Sequence, residues 1–159
     1  QADDDFDSYR MEMENMGYEV QATTNAENVT SKCNLIITAT PSRVPLIHAN
    51  QLMPGTHITA MGSDTAEKQE LESKILKLAD IVVADSIEQC LTRGEIHQAL
   101  KINEISQGDV VELGNVIQDP GLGRQSDQQL TVADLTGVAV QDVQIAKAVH
   151  QAFRETSEA

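Results

Sequence analysis

The sequence predicts an α/β protein with a mostly parallel sheet. Short apolar runs at 18–22, 34–38, 57–61 and 81–84 are each followed by a helix-forming stretch. Alternation of this kind places crossover helices between parallel strands. The runs at 34–38 and 81–84 are apolar at successive positions, as in strands covered on both faces.

The elements follow in order. Residues 7–16 read as a helix, with Asp7 or Ser8 as N-cap and Gly17 as C-cap. A strand at 18–22 leads to a short helix at 26–32, capped by Thr24 or Asn25. The strand at 34–38 ends in a loop at 40–45, where Pro41 and Pro45 push their predecessors out of helix. Met53, Pro54 and Gly55 turn the chain into the strand at 57–61. Residues 62–66 are a loop or a helix start, and a helix follows at 73–78. After the strand at 81–84 come short helices at 87–91 and 95–100, separated by Arg93 and Gly94. Residues 109–117 look helical. Two glycines and a proline make 119–124 a loop. A last strand at 130–134 precedes the longest helix, 137–154, whose Val140, Val143, Ala146 and Val149 form an apolar stripe.

Composition narrows the function. The chain has 159 residues, about one domain, with 40% hydrophobic residues but only 3% aromatics, so the core must be aliphatic. Its formal net charge of -14 opposes binding to nucleic-acid phosphates and to anionic membranes. No apolar run approaches the roughly 18–20 residues of a membrane span. Cys33 and Cys90 have neither redox nor zinc spacing and read as buried, reduced thiols of a cytoplasmic protein. No pair among His48, His57, His97 and His150 has metal-ligand spacing, so no metal site is expected. The start at Gln1 reads as a fragment or a processed product.

The stretch 34–70 carries the chemistry. Its two strands end in Thr40, Pro41, Ser42 and in Gly62, Ser63, Asp64. Small and polar residues at the carboxyl ends of parallel strands leave room for a ligand, so this stretch reads as half of a nucleotide site. Asp64 could accept a proton beside that cleft. With Glu67 it also resembles a helix-capping pair, the reading local physics favours. Lys68, four residues on, could pair with Asp64 or with a phosphate. The Thr40 and Ser42 hydroxyls could bond a ribose or phosphate, or their own turn. No GxGxxG phosphate loop is present.

Four segments then carry a resemblance: CNLIITATPSRVPLI, LMPGTHITAMGSDTAEKQEL, ADIVVADSIEQCLTRGEIHQAL and GRQSDQQLTVADLTGVAVQDVQIAKAV. In order and spacing they resemble the ornithine cyclodeaminase/mu-crystallin family, from about residue 10 to the end. The resemblance implies a Rossmann domain that binds NAD or NADP, and a second domain for substrate and homodimer contact. Residues 1–125 would form a partial cofactor domain. Residues 126–159 would return to the substrate and dimerisation domain.

The resemblance also assigns roles. Asp64 falls on the family's catalytic aspartate. Thr40, Met61, Gly62, Ser63, Lys68 and Leu135 fall on positions beside the cofactor, and Thr136 beside the substrate. The leading expectation is a cyclodeaminase-like enzyme: hydride leaves an amino acid to give an imine, the side-chain amine attacks, and ammonia departs. The alternatives are a cyclic-imine reductase, an alanine dehydrogenase, or a crystallin-like NADP-binding protein without turnover. Leu135 stands where many members carry a hydroxyl, which moves the resemblance toward the reductases. The family's GxGxQ loop, first two strands and substrate-gripping Arg and Lys have no counterpart here. The strand at 34–38 is therefore expected to have an open apolar edge. The chain alone is not expected to bind NAD(P) with normal affinity.

Overall fold

The computed structural model describes residues 2–157. Five strands form one sheet in the order β1-β2-β5-β3-β4, with every pairing parallel. They are β1 (Leu35–Thr38), β2 (His57–Ala60), β3 (Ile81–Ala84), β4 (Val110–Glu112) and β5 (Thr131–Asp134). The helices are α1 (Ala2–Asn15), α2 (Ala26–Thr30), α3 (Ser73–Leu78), α4 (Ile87–Cys90), α5 (Gly94–Lys101), α6 (Leu113–Gln118) and α7 (Ala139–Ser157).

The core is aliphatic. Ile36, Ile58, Val82 and Val132 from the strands meet Leu71, Ile75, Leu76, Ile96 and Ala99 around α3 and α5. Register fixes where the functional edge lies. Ala60 of β2 and Ala84 of β3 both pair with Asp134 of β5. These three strands therefore end level, and the residues after them share one rim.

Several expectations change. Residues 18–22 form no strand. Extended backbone needs a ladder partner to satisfy its N–H and C=O groups, and no described strand lies beside it. Residues 109–117 are not one helix. Val110 and Val111 pair with Val82 and Val83 as β4, because β-branched residues suit a strand, and only then does α6 begin. The first helix starts at Ala2, well before Asp7 or Ser8. Gly17 has φ +92°, the left-handed conformation expected at a helix C-terminus. Asn25, one of the two proposed caps, accepts from the Glu27 N–H.

β1 is covered on one face only. Ile36 and Thr38 are buried, whereas Leu35 and Ile37 are 61% and 63% exposed. Its edge is open, as expected, but the expected cover on both faces is absent. The stripe on α7 is likewise exposed at Val140, Val143 and Val149. Cys33 is exposed and only Cys90 is buried, so the expectation of two buried thiols fails for Cys33; both are free. Finally, β5 (Thr131–Asp134) lies inside the sheet, although it follows the expected boundary at 125/126. The chain leaves the sheet after Asp134.

Candidate active site

A cleft of about 220 Å³ opens at the carboxyl ends of β2 and β5, lined by Met61, Asp64, Leu135, Thr136, Gly137 and Gln141. Parallel register creates it, since Met61 and Leu135 are the first residues beyond the paired Ala60 and Asp134. Ligands of open α/β sheets lie in crevices at this edge.

Asp64 is largely exposed and ion-paired to Lys68, with Nζ to Oδ1 at 2.5 Å. The hydrogen bond from Lys68 holds its carboxyl below the usual aspartate range. Residues 65–72 are irregular, so Asp64 caps no helix and the capping-pair reading fails. That reading rested on local spacing, whereas the chain here is tied down by distant groups.

Those groups are buried carboxylates behind the cleft. Glu70 accepts from Thr38 Oγ1 at 2.7 Å, Thr40 N at 2.6 Å, Thr40 Oγ1 at 2.8 Å and Gly62 N at 2.9 Å. A Cβ on Gly62 would stand 2.2 Å from the Thr40 carbonyl oxygen, so the close approach demands glycine. Glu95, at the start of α5, accepts from Ser63 Oγ, from Glu70 N at 2.7 Å and from Leu71 N at 3.1 Å. Burial raises the Glu95 carboxyl, opposed by those donors. On the other wall, Asp85 accepts from Thr136 Oγ1 at 3.2 Å and Gly137 N at 2.9 Å.

The cleft thus gathers Met61, Asp64, Leu135 and Thr136, with Lys68 joined through Asp64. Thr40, Gly62 and Ser63 stand one layer behind. The hydroxyls of Thr40 and Ser63 and the amide of Gly62 are all spent on Glu70 or Glu95. Sequence reasoning gave no role to Glu70, Asp85, Glu95 or Asp134. A signal existed for two of them: Asp85 and Asp134 are acids at the ends of apolar strands, where solvation is poor.

Asp134 is 1% exposed and accepts from Ile96 N at 2.8 Å. Burial pushes its carboxyl up to about 8, with Glu95 and Asp85 adding to the push. An unfolded aspartate titrates near 3.9, so folding takes up a proton between about pH 4 and pH 8. The stability contributed by neutral Asp134 is complete at low pH and lost as pH rises through its folded value. The melting temperature should therefore fall between about pH 4 and pH 8, and fall less in Asp134→Asn. Equal slopes in the two thermal melts would show that Asp134 is not the group responsible. Burial likewise pushes the Cys90 thiol up, leaving it inert at neutral pH.

An open, all-parallel five-stranded sheet with its cleft at the carboxyl rim defines an α/β protein with a sheet of the nucleotide-binding type. The chain belongs to the ornithine cyclodeaminase/mu-crystallin family, whose sequence model matches residues 4–157. It is 42% identical over 133 residues to an alanine dehydrogenase of Archaeoglobus fulgidus, covering 83% of this chain and 41% of that protein. An archaeal alanine dehydrogenase dimer with bound NAD superposes with a TM-score of 0.85 at 37% identity, over 95% of this chain and 47% of the other. The Thermococcus litoralis Δ1-pyrroline-2-carboxylate reductase, solved with NADH and L-proline, gives 0.84 at 26% identity, over 91% and 45%. The chain spans less than half the length of each of these proteins.

Proposed function

We propose that the protein containing this chain is an NAD(P)-dependent oxidoreductase that interconverts an amino acid and its imine. The observation that carries the reading is the cleft itself. It sets one carboxylate, Asp64, beside two apolar side chains, Met61 and Leu135, at the rim of a parallel sheet. These residues fit the nicotinamide end of such a cofactor: apolar surface for the ring and an acid for the nitrogen of the substrate. NAD(P) supplies a hydride acceptor or donor there. No stretch of this chain reads as a phosphate loop, so the phosphates would be held by sequence outside it.

In this reading Asp64 moves the proton. It takes one from the amine nitrogen as the imine forms and returns one as the imine is reduced. Lys68 keeps the carboxylate ionised between those events. Leu135 and Met61 keep water from the reacting carbon. Asp85 and Thr136 fix the wall that Leu135 belongs to.

Dehydrogenase or reductase chemistry is favoured over the full cyclodeaminase cycle. Leu135 brings no hydroxyl to the cleft, and the Archaeoglobus relative is an alanine dehydrogenase. The soluble partner of the site would be a small amino acid or a cyclic imine, and the protein would act as a homodimer. Full-length protein should oxidise NADH or NADPH stoichiometrically with pyruvate and ammonia, or with Δ1-pyrroline-2-carboxylate. Ammonia released from ornithine with only catalytic NAD+ would instead establish the cyclodeaminase. Cofactor binding without turnover of any of these would establish the crystallin-like alternative.

A further inference from the structure

Residues 62 and 63, immediately before Asp64, are each tied to a buried carboxylate. Gly62 N–H donates to Glu70 and Ser63 Oγ donates to Glu95. The two residues are themselves joined, because the Glu70 backbone N–H donates to Glu95 Oε1 at 2.7 Å. Glu70 and Glu95 are 0% and 1% exposed, and neither lines the cleft. Asp64, by contrast, pairs with Lys68 and, among the described residues, bonds to no buried group of the core. Its placement depends on the two residues that precede it.

We propose that Glu95 and Glu70 are positioning residues that fix the 61–64 loop through Ser63 Oγ and Gly62 N–H, and so set where the Asp64 carboxylate stands in the cleft. Two features distinguish this from simple core satisfaction. Each acid spends a bond on the loop that carries Asp64. Each also bonds a separate segment, Glu70 to Thr38 and Thr40 at the end of β1 and Glu95 to the Leu71 N–H. A buried carboxylate with several donors is rigid, because losing any one donor leaves charge unpaired in a poor dielectric. Hydroxyl and amide contacts of this kind locate a proton-transfer group within the narrow tolerance that reaction requires.

The inference rests on Asp64 as the proton-transfer group, and the test separates the two. In the full-length enzyme, Ser63→Ala removes only the hydroxyl that reaches Glu95, leaving Glu95 its two backbone donors. Its kcat should fall about tenfold or more, with KM for NAD(P)H within about twofold. In an Asp64→Asn background the same change should add little, because both act through one group. Amide exchange reads the loop without chemistry: Glu70→Gln, in which an NH2 faces a donor, should speed exchange at Gly62 about tenfold or more. Wild-type turnover in Ser63→Ala overturns the proposal. So does a loss that multiplies fully onto Asp64→Asn, or unchanged exchange at Gly62 in a folded Glu70→Gln. Wild-type turnover in Asp64→Asn alone overturns the role of Asp64, while the exchange measurement still decides whether the loop is held.

Discussion

Asp64→Asn should lower kcat of the full-length enzyme by about 10²–10³-fold while leaving the fold and cofactor affinity intact, the usual scale of a lost acid–base group. The carboxamide keeps the shape of the side chain and can still meet Lys68 through its oxygen. It cannot take up or release the proton that the proposed hydride transfer at a carbon–nitrogen bond requires. The exposure of Asp64 makes a stability loss small, so a fall in rate reads as chemistry. Lys68→Met adds a second readout. The Lys68 hydrogen bond holds Asp64 low, and the acidic limb of kcat/KM should move to higher pH when the cation is gone. Steady-state kinetics over a pH series measure both. Undiminished turnover in Asp64→Asn would remove this residue from the mechanism.

Gly94→Ala should be strongly destabilising. Gly94 has φ +91°, where a Cβ costs about 1–2 kcal/mol. That Cβ would also stand 2.5 Å from Asp134 Oδ2 and 2.7 Å from Thr136 Cγ2, both on buried residues. Forced repacking of that kind adds about 1–3 kcal/mol, against a typical total stability of about 5–15 kcal/mol. The crowding acts from behind the cleft wall, so residual folded enzyme should also lose activity. Urea unfolding followed by circular dichroism checks the first part, and a midpoint equal to wild type would refute it.

Much of the fold is legible in the sequence because it is encoded locally. β3 and α3 lie at the residues expected, and β2 ends one residue early. In each case apolar periodicity and a flanking turn residue agree. The errors have the opposite origin. Residues 18–22 have strand composition but no partner, and pairing is a property of the sheet rather than of the segment. Val110 and Val111 look ambiguous until β3 offers them hydrogen bonds. Of the site, Asp64 is legible only because a family motif surrounds it; its neighbours alone suggest a helix cap. Glu70 and Glu95 resemble any surface acids in a chain of net charge -14, and only long-range donors from residues 38–71 reveal them as buried.

The position of β5 bears on how the chain is made. β5 lies between β2 and β3, yet it follows β2 by more than seventy residues, with His57 paired to Thr131. A nascent chain that has emerged only as far as β4 holds two half-sheets whose facing edges lack a mate. Contacts this distant in sequence slow closure, and open edges invite mispairing while they wait. β5, the last strand among the described residues, acts as the keystone, and it also carries Asp134 and delivers Leu135 and Thr136 to the cleft. The candidate rim and these five strands are therefore joined in the same event: a ribosome-bound chain would acquire the far wall of its cleft only when β5 emerges and inserts.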